Sequence, residues 1–153
     1  MFTRILVPTD FSPPSDAALA CARTVATQFG ASLHLLHVAE DPYRALYSNE
    51  VFVAEVEGVR ADLVNDASRR MKQQLTAADD ERSVTVEAII GTAATSIVEY
   101  AEGHGIDLIV MGTHGRSGMS KVLMGSVAER VVRTAPCPVL TIRETGKPAA
   151  AAA

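Results

Sequence analysis

The sequence predicts an α/β protein built on an open parallel β-sheet with helices on both faces. Three observations predict it. Five short runs rich in β-branched and aliphatic residues alternate with longer stretches whose apolar residues recur every three or four positions. The runs are nearly continuously apolar, as strands buried on both faces are. Polar and glycine-rich residues follow the first and fourth runs, at the carboxyl ends where open sheets of this kind bind ligands.

The first strand is Arg4-Ile5-Leu6-Val7, stopped by Pro8. Ser12 before Pro13 reads as an N-cap with proline at the first helical position. The helix runs to about Phe29, with Ala18, Cys21, Val25 and Phe29 on one face and Gly30 as its stop. Residues 32–38 form the second strand. Residues 39–50 read as irregular, with Asp41-Pro42 as the turn signal. A long amphipathic helix follows. Its stripe of Val56, Val59, Leu63, Ala67, Met71 and Leu75 is spaced three, four, four, four and four. Residues 84–90 are the third strand, ended by Gly91. A helix over roughly residues 93–103 turns Ala94, Ile97, Val98 and Ala101 inward. Residues 106–111 are the fourth strand. A glycine-rich loop covers 112–118, and a fourth helix runs from the low 120s to about Thr134. Val139-Leu140-Thr141-Ile142 is the last strand. No repeat recurs at a solenoid period.

A chain of 153 residues suits one domain, expected over residues 1–144. Lys147-Pro148 and the five alanines after it belong to a tail, residues 145–153, expected to be disordered. Hydrophobic residues at 48% and charged residues at 21% exclude a wholly disordered chain. Fourteen Lys and Arg against eighteen Asp and Glu give −4, which argues against a dedicated nucleic-acid binder. No apolar stretch approaches the ~20 residues of a spanning helix, and no signal-peptide core opens the chain. The expectation is a cytoplasmic protein with neither membrane nor nucleic acid as partner. Cys21 reads as a small core residue, and Cys137 lies between Pro136 and Pro138. Two cysteines without a CxxC give no disulfide or metal framework.

The chemistry is concentrated in Met111-Gly112-Thr113-His114-Gly115-Arg116-Ser117-Gly118. Glycines three apart let backbone N–H groups turn toward an anion and let a phosphate approach without a Cβ clash. Gly125-Ser126 can add an N–H and a hydroxyl, and His114, Arg116 and Lys121 can add donors or charge. The same glycines equally suit a surface turn and a close helix contact. The loop is neither a P-loop nor the dinucleotide fingerprint. Asp10 after Pro8-Thr9 can serve a ligand, or simply be the turn carboxylate before the first helix. Ser126 can likewise be a helix cap. His34 and His37 have opposite strand parity and read as structural, and His104 as a solvated turn residue. The Arg69-Arg70-Met71-Lys72 cluster reads as the wet face of the long helix.

Gly112-x2-Gly115-x9-Gly125-Ser126 resembles the G-2x-G-9x-G-[S/T] motif of the ATP-binding branch of the universal stress proteins. The texts Ile5-Leu6-Val7-Pro8-Thr9-Asp10, Gly125-Ser126-Val127-Ala128-Glu129-Arg130-Val131 and Ala135-Pro136-Cys137-Pro138-Val139-Leu140 are similar to the family's as well. The resemblance covers about residues 2–143. It implies a Rossmann-like, five-stranded parallel sheet of order 3-2-1-4-5 and a homodimer through the last strand, Val139–Ile142. It also implies ATP, with Mg²⁺ or Mn²⁺ held mainly by the phosphates. Pro8, Thr9 and Asp10 then lie at the adenosine end, where the backbone of Val38 meets adenine. Met111 and Gly112 follow the ribose and first phosphate, and Gly115, Gly125, Ser126 and Val127 the phosphate cradle. His114 and Arg116 fall in the same loop.

The leading expectation is an ATP-binding stress or regulatory switch with little or no turnover. Asp10 stands at the wrong end of the nucleotide for a general base, His114 is the only nearby imidazole, and the loop holds no acidic residue. Two other classes remain open: a slow ATPase, and a nucleotide-free dimeric interaction protein with a structural glycine loop. The identity of any regulatory protein partner is not legible in the sequence.

Overall fold

The computed structural model describes residues 1–43, 53–77, 79, 83–113 and 124–143. The expected tail lies outside them. The elements are β1 (Arg4–Pro8), α1 (Pro13–Phe29), β2 (Ser32–Ala39), α2 (Val53–Gln74) and β3 (Val84–Ile90). They continue with α3 (Ala93–Gly103), β4 (Leu108–Gly112), α4 (Ser126–Thr134) and β5 (Val139–Ile142). The five strands form one parallel sheet of order β3-β2-β1-β4-β5. The winding direction therefore reverses between β1 and β4. Among the described residues no helix is long and apolar enough to cross a membrane.

The apolar strands divide by parity between two cores. Ile5, Val7, Leu33, Leu35 and Val110 face one side, where Ala18, Ala22 and Met71 of α1 and α2 meet them. Leu6, Leu36, Ile109 and Met111 face the other, against Ile97, Tyr100, Ala128 and Val131 of α3 and α4. Burial on both faces is the reason for the continuous apolar runs. Helix α1 ends where the sequence indicates. Gly30 takes φ +66°, and its N–H closes on Ala26 O.

Helix α4 begins at Ser126 and not in the low 120s, and four further details differ from the sequence reading. The buried face of α1 is Ser15, Ala18, Leu19, Ala22 and Ala26. Cys21 and Val25 are only half-buried beside it, and Phe29 is 40% exposed, edge-on to Phe2. Small side chains seat the helix closer to the sheet than the larger ones would. Along α2, Ala67 and Met71 are buried, but Val59 and Leu63 are exposed. A 22-residue helix spans about 33 Å, longer than the eight-residue β2 at about 26 Å, so its first turns overhang. Ile106 is buried but precedes β4. There Asp107 accepts the Thr3 backbone N–H at 2.7 Å, the Thr3 hydroxyl at 2.7 Å and the Arg4 N–H at 3.1 Å. Burial would raise the Asp107 carboxyl, but these bonds hold it below the ordinary range. The fourth difference is Tyr100, buried in α3 where Val98 was expected and is half-buried.

Tyr100 explains His34. Its hydroxyl lies 3.0 Å from His34 Nδ1, and its ring stacks on His104 at 3.8 Å. His104 itself is exposed, as read, with Nδ1–H donated to Tyr100 O. Burial first, then the charges of His104 and Arg4, push His34 below its ordinary 6.5, against the pull of Glu87. A histidine that resists protonation when folded binds fewer protons than the unfolded chain just below that value. Stability is then lost as pH falls through about 6.5. We expect the melting temperature to drop between pH 7 and pH 5, and His34→Gln to flatten that drop. An unchanged slope in the variant assigns it to other groups.

Candidate functional site at the carboxyl ends of strands β1 and β4

The turn after β1 is built from buried hydroxyls. Thr9, Ser12 and Ser15 are all buried. Ser15 Oγ donates to Ser12 O at 2.8 Å, so the Thr9 hydroxyl, 3.2 Å away, donates to Ser15 Oγ. Thr9 Oγ1 in turn accepts the Phe11 N–H at 3.1 Å. Asp10 Oδ1 accepts the Ser12 N–H at 3.1 Å and the Ser12 hydroxyl. Asp10 thus does act as the turn carboxylate. Ser12 stands at the N-cap position, but its side chain makes no cap bond; only its carbonyl does, to Asp16 N.

Phe11 has φ +63°, a left-handed backbone that costs a bulky residue about 1–2 kcal/mol. Its ring lies 4.7 Å from that of His37, and the Arg70 guanidinium sits 3.8 Å from its centre. His37 Nδ1 lies 2.8 Å from Thr9 O. A carbonyl only accepts, so Nδ1 carries the hydrogen. The sequence reading took His37 as structural, which it is, but gave Arg70 only a wet role and missed Phe11. No periodicity signals either one.

The end of β4 meets this turn directly. A Cβ on Gly112 would lie 2.9 Å from Pro14 C and Cβ and 3.0 Å from Pro14 O. The first of the motif glycines is therefore required by the packing of α1 against β4, the close-contact alternative raised by the sequence. Thr113 then donates its N–H to Ile142 O at 2.9 Å and accepts the Gly125 N–H at 2.7 Å. That second bond brings Gly125 to the end of β4. Gly125 is the N-cap of α4 and Ser126 the first helical residue, so Ser126 is not the cap. Helix geometry leaves the N–H groups of Ser126, Val127 and Ala128 without a partner inside α4. The first helical bond is Glu129 N to Gly125 O.

The structure so brings together Pro8, Thr9, Asp10, Met111, Gly112, Gly125, Ser126 and Val127. Pro8, Thr9 and Met111 are buried, Asp10 and Gly112 half-buried, Ser126 and Val127 exposed. Val38 lies at the end of β2, beside them in the sheet. His114, Gly115 and Arg116 lie outside the described residues. Among the described residues no group of three His, Cys, Asp or Glu side chains is placed to hold a metal.

A cleft of about 360 Å³ opens at the end of β3, lined by Asp41, Arg60, Ile90, Gly91 and Thr92. Arg60 donates to the Asp41 carboxylate across it. The cleft adjoins β2: Gly91 N–H donates to Ala39 O at 2.9 Å, and a Cβ on Gly91 would lie 3.7 Å from Val38 Cγ1. Its size is within the range of small-molecule sites. The sequence reading saw only a turn at Asp41, where the carboxylate does accept the Tyr43 N–H.

The family model described as Universal stress protein family matches residues 1–143. The chain belongs to that family. Universal stress protein MJ0531 of Methanocaldococcus jannaschii is 32% identical over 150 residues, covering 96% of this chain and 85% of that one. The solved structure of MJ0577, from the same organism, superposes with a TM-score of 0.79 at 29% identity, over 96% of this chain and 99% of that one. A universal stress protein solved in complex with cAMP has the same fold, with a TM-score of 0.62 at 23% identity, over 94% and 99% of the two chains. The parallel sheet of order 3-2-1-4-5 is thus the arrangement expected of universal stress proteins from the sequence.

Proposed function

We propose that this universal stress protein binds ATP across the carboxyl ends of its sheet and works as a switch with little or no turnover. The observation that carries the reading is the Gly125 N–H to Thr113 O bond. It joins the two halves of the G-2x-G-9x-G-[S/T] motif at the end of β4, beside the Asp10 turn. The N-terminus of α4 there offers backbone N–H groups and the positive end of a dipole to a phosphate. The cleft at β3 supports a base site, with the Val38 backbone on its β2 side. From β3 to β4 is three strand spacings, about 14 Å, a distance an extended nucleoside triphosphate spans. By its place in the motif, Gly115, with His114 and Arg116, is assigned to the phosphate end. A divalent cation, Mg²⁺ or Mn²⁺, would offset phosphate charge while bound mainly to phosphate oxygens.

Asp10 Oδ1 is taken up by its own turn and the motif loop supplies no carboxylate, which leaves the His114 imidazole as the candidate base of the loop. With no carboxylate in the loop to orient that imidazole, the chain is expected to hold ATP with slow turnover or none. Chromatography and mass spectrometry of small molecules released from freshly purified, denatured protein test this. Near-stoichiometric ATP is the expected result. ADP or AMP accumulating over many turnovers when ATP is supplied would make the protein an ATPase instead.

The second part of the proposal is a homodimer through β5. This strand is an edge of the sheet, with Leu140 38% exposed. An apolar edge of this kind favours pairing with a second copy. Leu140→Lys is expected to give monomers by light scattering. A dimer that persists in the variant places the interface elsewhere.

A further inference from the structure

Resting on the nucleotide-binding reading, we propose that Arg70, Phe11 and His37 form the positioning device of the site. They hold the turn of residues 9–12 in the one conformation that presents Asp10 to the nucleotide. Phe11 follows Asp10 directly and is the one non-glycine residue with positive φ among the described residues. A bulky side chain in that conformation persists only where its surroundings over-determine it. Two neighbours do so. His37, from β2, donates Nδ1–H to Thr9 O at 2.8 Å and lays its ring 4.7 Å from that of Phe11. Arg70, from α2, sets its guanidinium 3.8 Å from the Phe11 ring, in cation–π distance. Arg70 is an exposed residue of a helix that otherwise contributes Ala67 and Met71 to the core. Phe11 packs against the edge of the core that holds Met71, and the guanidinium of the exposed Arg70 adds a further contact to its ring. Hydrogen bonds inside the turn fix Thr9, Asp10 and Ser12 relative to one another. The Thr9 N–H to Leu36 O bond, 2.8 Å, ties the start of the turn to β2, and the stack fixes Phe11, next to Asp10, relative to β2 and α2.

Three variants test it: Arg70→Ala, Phe11→Gly and Phe11→Tyr. The readouts are ATP affinity by calorimetry, the melting temperature, and the amide NMR signals of residues 9–12 without nucleotide. Arg70→Ala is expected to weaken ATP by at least about threefold with the melting temperature within about 2 °C of the parent. Phe11→Gly relieves the backbone strain, yet is expected to weaken ATP by about tenfold. Both should broaden or shift the amide signals of residues 9–12, and Phe11→Tyr should restore parental behaviour. Parental affinity and parental amide signals in Arg70→Ala and Phe11→Gly would overturn the proposal. If the parent protein itself binds no ATP, the nucleotide reading fails. The amide signals then decide alone whether the stack orders the turn: changed in the two variants, it does; unchanged, it does not. Arg70→Ala, at an exposed position, keeps the test open should Phe11→Gly fail to fold.

Discussion

Replacing Ser126 with aspartate is expected to weaken ATP binding by at least about tenfold, or ~1.4 kcal/mol, without lowering stability. The two effects have opposite physical signs. Ser126 is exposed and is the first residue of α4, where a carboxylate meets the positive end of the helix dipole. An acidic side chain there adds about 0.3–1 kcal/mol to a helix. The same carboxylate faces the place proposed for a phosphate and repels it. Calorimetric titration with ATP beside thermal melts separates the two. A variant that binds ATP as the parent does would move the phosphates away from α4. A variant that both melts early and fails to bind would show a folding defect instead. Ser126→Ala, which removes the hydroxyl but adds no charge, is the comparison that isolates repulsion.

Gly112→Val is the second large effect. The Cβ alone would stand 2.9 Å from the Pro14 carbonyl carbon, and this neighbour is backbone at the start of α1. It cannot rotate away as a flexible side chain can, so α1 or the end of β4 must shift. Overpacking of this kind costs about 1–3 kcal/mol, or a fall of roughly 3–10 °C in melting temperature for a domain of this size. The shift also moves the turn carrying Asp10, so ATP affinity should fall further than stability alone accounts for. Gly112→Ala should show the same direction at smaller size. A valine variant with parental melting temperature and affinity would mean that the α1–β4 contact gives way easily. Glycine at this position would then be explained by the ligand and not by packing.

The architecture was legible because burial on two faces writes itself into the sequence. Continuous apolar runs such as residues 5–7 and 108–111 have no polar face to show, and both are buried throughout, in β1 and β4. Gly30 was legible for a backbone reason, since the helix ends there in a left-handed residue. Finer placement was not legible. The spacing of Ala18, Cys21, Val25 and Phe29 is helical, but so is that of Ser15, Ala18, Ala22 and Ala26. Only the closeness of α1 to the sheet selects the smaller set. Ile106 looks like strand and is buried, yet the carboxylate of Asp107 is taken by Thr3 and Arg4 before β4 begins.

The site divides in the same way. Pro8, Thr9, Asp10, Gly112 and Gly125 could be singled out because short local motifs carry them. Phe11 and Arg70 could not, because their contact joins residues 59 positions apart and follows no repeat. The cleft beside Asp41 and Arg60 is also a product of packing, of α2 against the end of β3. Its acidic wall reads in sequence only as the start of a turn.

The central claim is that nucleotide binds at the end of β4. Calorimetric titration of nucleotide-free protein with ATP, monitored also by thermal shift, tests it most directly. The account predicts a saturable isotherm near one ATP per chain. At a hundredfold excess over the dissociation constant, ATP should add about 2.7 kcal/mol of stability. No binding heat and no thermal shift at millimolar ATP would contradict the account and leave the glycine motif a packing feature.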